Sequence, residues 1–196
     1  EYLADMVGFC AGRLSGGTLA LFTSYAEMDK VARLLEPLWR EAGRPFFQQG
    51  QGMSRNQMLE AFAACGNGLL LGTESFWTGV DVPGPALSQV IVARLPFENP
   101  THPIAEARAE HIRKQGGNPF TAMTVPDAVI KFRQGIGRLI RSQRDRGTLT
   151  VLDSRVINKP YGKAFLTVLP NPRYERFDRA SRERVFQPVE ATPPAG

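Results

Sequence analysis

At 196 residues, with 24 Lys and Arg against 19 Asp and Glu, the chain is long enough to bury a core without covalent staples and has a net charge of only +5, mild for a nucleic-acid binder. Two cysteines, Cys10 and Cys65, are too few for a four-cysteine zinc or iron-sulfur site and lie in apolar contexts, which points to a reducing, cytoplasmic compartment and a disulfide-free fold. No apolar run approaches the roughly 18 residues of a membrane span, and Glu1 follows no initiator methionine or signal peptide, so we expect an excised piece of a longer protein.

Residues 1–13 carry Leu3, Met6, Val7 and Cys10 at helical spacing, closed by the breaker Ser15-Gly16-Gly17. Residues 18–23 form a short apolar run, the pattern of a parallel strand buried on both faces, with Ser24 and Tyr25 at its carboxyl end. A helix over 26–40 follows, with Met28, Val31, Leu34, Leu35 and Leu38 turned inward. Residues 45–48 read as a second strand and 49–52 as a loop; Ser54 is an N-cap, with Gln57 completing a capping box, for a helix through Ala64. Residues 69–72 make a third strand, followed by a long and unusually apolar loop over 73–84. A fourth strand spans 89–93, and a proline-rich turn leads to a helix over 104–114. After a break at 116–119, a helix runs from about 126 to 142; a fifth strand spans 148–153 and a short helix 161–166. Beyond Pro170 the composition turns to Arg, Glu and Pro, which predicts loss of order, so the domain is placed at 1–170 and a charged tail at 171–196.

Strand and helix alternate without internal repeat, which predicts an α/β fold around a mostly parallel, doubly wound sheet with ligands at the carboxyl ends of its strands. Ser24-Tyr25, 49–52, 73–81 and Pro96-Phe97 should then line one edge. The Gly-x4-Gly-Lys-Ser/Thr phosphate loop is absent, so the chain alone should not hydrolyse ATP. Asp153 ends a strand, but without that loop structural hydrogen bonding is its better role than magnesium binding; His102 and His111 are too isolated for a metal site. Ser15, Ser24, Ser75 and Ser142 show no nucleophile pattern. Charge is concentrated: between Lys131 and Lys163 nine basic residues meet only Asp145 and Asp153, a local excess of +7 that leaves the remainder slightly acidic. Within it, Arg138 and Arg141 stand three apart, on one face of a helix, where planar guanidinium forks can grip phosphate oxygens. An amphipathic helix with merely solvated arginines is the competing reading.

Four blocks carry a resemblance. LFTSYAEM (21–28), LGTESFWTGVDVPG (71–84), ARLPFENPTHP (93–103) and QGIGRLIRSQRDRGTLTVLDSR (134–155) resemble, in order and spacing, motifs IV, V and VI of the second RecA-like motor domain of the DinG family, superfamily 2 DNA helicases related to the XPD type. The resemblance runs from about Gly17 to Pro170 and implies a three-layer α/β/α domain. It implies ATP with Mg2+ held mainly by the Walker A loop of an N-terminal RecA-like domain, with no metal bound by this chain. Arg138 and Arg141 would then be arginine fingers and Gln134 would orient them or the attacking water, with Asp81, Gly79 and Gly137 on the nucleotide side. Asp81 also reads as a turn former before Val82-Pro83-Gly84. Ser24, Tyr25, Gln49, Thr73 and Ser75 are the candidates for holding single-stranded DNA, with Phe76 and Trp77 either stacking on bases or packing the loop onto the core. Gly135 and Gly137, costly in a helix, imply either close backbone approach to a ligand or neighbouring domain, or helix packing. One departure stands out: Thr78 occupies a position where relatives commonly carry glutamate, which leaves a coupling role there in doubt. The implied function is half of an ATP-dependent DNA helicase motor, monomeric and without membrane contact; a non-catalytic nucleic-acid-binding or interaction module and a free-standing nucleotide-binding α/β protein are the alternatives.

Overall fold

The apolar runs are strands because a parallel sheet covered on both faces admits little else. In the computed structural model, which describes residues 1–78, 86–98, 103–137, 147–169 and 173–186, they are β1 (Gly17–Leu21), β2 (Phe46–Gln48), β3 (Leu69–Gly72), β4 (Leu87–Val92) and β5 (Thr148–Val151). The sheet order is β2-β3-β1-β4-β5 and every pairing is parallel. Leu21 is level with Gly72 on one side and Val92 on the other, and Val92 with Val151, so four strands end in one row. Side chains of period two divide the core. Ala20, Phe22, Leu71 and Ile91 pack under α1 (Tyr2–Gly12) and α2 (Tyr25–Glu41), while Leu19, Leu21, Leu70, Val90 and Val92 pack under α3 (Arg55–Cys65), α6 (Val125–Ile136) and α8 (Gly162–Leu166). The remaining described helices are α4 (Glu74–Trp77), α5 (Pro103–Lys114), α7 (Arg155–Asn158) and α9 (Arg182–Val185).

Several local expectations change. The buried stripe of α2 runs Met28, Val31, Ala32, Leu35 and Trp39, leaving Leu34 and Leu38 47% and 57% exposed. A period of 3.6 places residue 39, not 38, below residue 35. The loop after β3 begins with the single turn α4, and a π-helical turn, Phe120–Thr124, precedes α6. The described part of α6 ends at Ile136 with Gly137 as C-cap; the expected continuation to 142 lies outside the described residues. Residues 173–186, expected to lose order, instead pack on α1. Phe186 is buried against Phe9 and Phe177, and Arg179 and Arg182 both reach Asp5, at 2.9 and 2.7 Å. Cys10 lies under this contact, and burial pushes its thiol up to about 12 although Arg182 pulls the other way, so it behaves as a small core residue.

Asp153 has the structural role expected of it. It is buried, accepts the backbone N–H of Leu95 at 3.0 Å, and meets the Arg155 guanidinium at 2.6 to 3.0 Å through both oxygens, which ties the end of β5 to the turn after β4. Burial alone would raise its carboxyl, but Arg155 and the amides of Leu95 and Arg155 outweigh burial and hold the group below its ordinary value.

Two expectations follow for the folded chain. Since the folded value of Asp153 lies below the unfolded one, its carboxylate contributes stability above the ordinary aspartate value that is lost as pH falls through the depressed folded value. Asp153→Asn should therefore lower stability at neutral pH and flatten the acid limb of a stability-versus-pH curve; an unchanged acid limb would contradict the assignment. At α3 both halves of the capping box are present, Gln57 N to Ser54 Oγ at 3.3 Å and Ser54 N to Gln57 Oε1 at 3.0 Å. Ser54→Ala should cost about 1 kcal/mol in urea unfolding.

Candidate nucleic-acid interface at the strand ends

The level row of strand ends gathers loops that are far apart in sequence, and Gln49 joins three of them. Its backbone N–H extends the ladder by donating to the Leu71 carbonyl at 3.0 Å. Its side-chain Oε1 accepts from the Thr73 backbone N–H at 2.7 Å and from Thr73 Oγ1 at 3.0 Å. Its Nε2 donates to Tyr25 Oη at 2.6 Å and to Ser75 Oγ at 2.9 Å. The Thr73 N–H can only donate, which fixes the orientation of the amide. Because Tyr25 Oη and Ser75 Oγ are acceptors toward Gln49, their own protons remain to be donated outward. Thr73 is buried at the base, Gln49 and Ser75 are half-buried, and Tyr25 is 53% exposed. Ser24 stands exposed beside them as the N-cap of α2, its backbone extended and its side chain not engaged in capping, at the positive end of a 17-residue helix. Arranged in this way, hydroxyls and helix amides suit anionic oxygens and read no base.

All five residues expected to meet a strand therefore lie on one edge, and four of them share one hydrogen-bond network. Arg55 was not anticipated. As the first residue of α3 it donates to the Ser75 carbonyl at 3.3 Å and brings an exposed guanidinium to the same edge. Its signal was its position, directly after the N-cap that follows the 49–52 loop.

Phe76 and Trp77 are fully buried, so packing, not base stacking, is their role. They press α4 against two glycines: a Cβ on Gly72 would lie 2.5 Å from Phe76 Cγ, and one on Gly135 2.6 Å from Trp77 Cε3. Gly135 is thus a packing glycine within the core, which corrects the expectation that its backbone approaches a ligand or a neighbouring domain. Gly137 ends α6, its N–H bonded to the Arg133 carbonyl at 3.0 Å, and Gln134 is exposed on the last turn. Arg138, Arg141, Gly79 and Asp81 lie outside the described residues. Lys131, one turn before Gly135, pairs with Glu74 at 2.5 Å.

Farther along the edge, Phe97 is not part of the Gln49 network. It lies among Phe120, Tyr161 and Phe165, with the Arg155 guanidinium 5.2 Å over its ring, beside a cavity of about 600 Å³. Asp153, the carboxylate at the end of β5, is fully engaged by protein donors, so it does not fit a magnesium ligand. No helix of the described residues is long and apolar enough to cross a membrane.

The model of the helicase C-terminal domain family matches residues 10–172. Over 169 residues the chain is 44% identical to the ATP-dependent DNA helicase YoaA of Escherichia coli, an overlap covering 86% of this chain and 26% of that protein. Over 153 residues it is 44% identical to the 3'-5' exonuclease DinG of Bacillus subtilis, covering 78% of this chain and 16% of the relative. The chain thus spans about a quarter or less of these relatives. Among solved structures, an XPD helicase matches with a TM-score of 0.66 at 20% identity, over 83% of this chain and 29% of that one. Domain 2 of the DEAD-box helicase Mss116p, bound to an RNA duplex, matches with a TM-score of 0.51 at 12% identity, over 98% and 68%. At these identities the likeness is one of fold, the RecA-like three-layer arrangement. With all five strands inside the matched span, the chain belongs to the helicase C-terminal domain family.

Proposed function

We propose that this chain is the second motor domain of an ATP-dependent DNA helicase, one that grips single-stranded DNA at its strand-end edge and completes an ATPase site on a preceding RecA-like domain. The observation that carries this reading is the Gln49 network. Three loops from separate strands are tied into one surface of outward hydroxyls, in a family whose similar members include ATP-dependent DNA helicases. Ser24, Tyr25 and Ser75 hold backbone phosphates and leave the bases unread, with Gln49 and Thr73 serving the strand by fixing those hydroxyls in place. Arg138 and Arg141 face the γ-phosphate of ATP whose Mg2+ and phosphates are held by the N-terminal domain, and neutralise charge that grows as the terminal phosphoryl group leaves. Gln134, on the exposed last turn of α6, orients that pair or the attacking water, and Gly79, Asp81 and Gly137 lie on the nucleotide side. Lacking a Walker A loop, the chain is inactive alone; it works as a monomeric half of one cytoplasmic polypeptide, with roles in DNA repair.

Two experiments address the two halves of the proposal. In the full-length helicase, Arg138→Ala and Arg141→Ala should each lower DNA-stimulated ATP turnover by about 10³-fold while ATP affinity changes little; wild-type turnover in both would remove the finger assignment and leave a binding module. Gln49→Ala should weaken single-stranded DNA binding about tenfold by releasing the loops it joins. Because no charge is lost, the dependence of log affinity on log salt should keep its slope. Undiminished affinity would place the strand elsewhere.

A further inference from the structure

β5 is an outermost strand of the sheet, and its free side is where a further strand would add. The N–H of Leu152, just past β5, donates to the Val92 carbonyl at 2.9 Å. In a parallel pair such bonds come from alternate residues, so Thr150 also faces β4, while the backbone N–H and C=O groups of Leu149 and Val151 point away from the sheet. Among the described residues no hydrogen bond reaches these outward groups. The strand reads Thr-Leu-Thr-Val, without a charge and rich in residues that favour extended backbone. An edge with these properties is a template for another strand.

The C-terminal arm, residues 173–186, stands across this edge without pairing to it. Residues 173–178 belong to no ladder, and a cavity of about 210 Å³ lies between residues 174–177 and β5, bounded by Met6 of α1 on one face of the sheet and Phe132 of α6 on the other. Glu175 and Arg176 are exposed on this stretch, so a second chain approaching the edge meets charge before it meets β5. The arm is held at its far end. Phe186 is buried with its ring 6.1 Å from that of Phe9, the Arg182 guanidinium lies 4.3 Å over the same Phe9 ring, Asp5 takes both Arg179 and Arg182, and Arg13 pairs with Glu183. Each of these anchors is on α1 or the turn after it, not on β5. An arm fixed at a distance covers the edge by its bulk and leaves the backbone groups of the edge unused.

We propose that the arm is an edge guard: seated on Asp5 and Phe9, it keeps the outward backbone of Leu149 and Val151 from pairing with β5 of a second copy of this chain. The partner follows from the identity of the strands. Two copies of one uncharged edge can lie antiparallel about a twofold axis, each supplying the N–H and C=O groups that the other lacks. Four residues supply few such bonds, so one buried ring and a few ion pairs are enough to outcompete them. This role needs neither DNA nor ATP and stands apart from the motor-domain reading.

The test uses the 196-residue chain, with sedimentation velocity for its association, circular dichroism for its fold and hydrogen exchange for its amides. The wild-type chain should be monomeric, with the Leu149 and Val151 amides exchanging faster than that of Thr150, which is bonded to β4. Asp5→Lys, which repels both arginines, and Phe186→Ala, which empties the aromatic anchor, should each strengthen self-association about tenfold or more. In the associated chain the Leu149 and Val151 amides should gain about tenfold protection, whereas mere loosening of the domain would expose Thr150 instead. Opposite charges restored in Asp5→Lys/Arg179→Glu/Arg182→Glu should return the monomer, and Thr148→Lys, a charge on the edge, should reverse association in either released variant. Arg182→Gln, which keeps Arg179 on Asp5 and Phe186 in place, should shift association in the same direction and serves where a stronger variant does not fold. Folded variants that stay monomeric would overturn the proposal. So would association that leaves Leu149 and Val151 exchanging as before or that Thr148→Lys does not reverse, and so would a wild-type chain already paired through these amides.

Discussion

The side-chain amide of Gln49 is saturated by protein, with two donors on its oxygen and two acceptors for its nitrogen. Such bonds are each worth about 0.5–1.5 kcal/mol net, and fixing a loop residue costs a similar amount, so four on one amide are what makes three loops behave as one surface. The parallel sheet makes this possible. Strands buried on both faces have no room for polar chemistry, and the level row Leu21, Gly72, Val92 and Val151 brings every following loop to the same height. The burial that stabilises the fold leaves the strand ends as the place where the sheet meets polar side chains.

Electrostatics adjusts the picture drawn from composition. The basic run between Lys131 and Lys163 is not wholly available to a polyanion, because Lys131 is paired with Glu74 and Arg155 with Asp153. These two cations organise the edge internally: one holds α6 to α4, the other fixes the turn after β4. The hydroxyls held by Gln49 and the α2 N-terminus, by contrast, offer uncharged donors. A surface of this kind would bind a phosphate backbone more weakly than an arginine cluster, which agrees with the proposed role in a motor that releases and re-grips a strand.

Much of the fold was legible because burial on both faces and helix caps leave local marks. The run at 69–72 is β3 to the residue, and Ser54 with Gln57 announced the start of α3. The strand-end residues were legible for a topological reason, since the place a loop occupies follows from the strand before it. What was not legible depended on distant partners. That Phe76 and Trp77, in an unusually apolar loop, pack onto the core was among the expectations, but the distant glycines at 72 and 135 that make room for them were not readable as their partners. Residues 173–186 have the composition of a disordered tail, but Phe186, with Phe177 against it, finds Phe9, and Arg179 and Arg182 find Asp5, nearly the whole chain away. Leu34 and Leu38 misled because they lie one step beside the true stripe of α2.

The central claim is that one edge serves the strand and the end of α6 serves ATP on another domain. An experimental structure of the full-length protein with single-stranded DNA and an ADP–metal fluoride mimic of the transferring phosphate tests it most directly. The account predicts DNA phosphates within hydrogen-bond reach of Ser24, Tyr25 or Ser75, and the guanidinium groups of Arg138 and Arg141 on the fluoride mimic. A strand that bypasses the Gln49 network, or an arginine pair bound to DNA with the mimic contacted by neither, would contradict it.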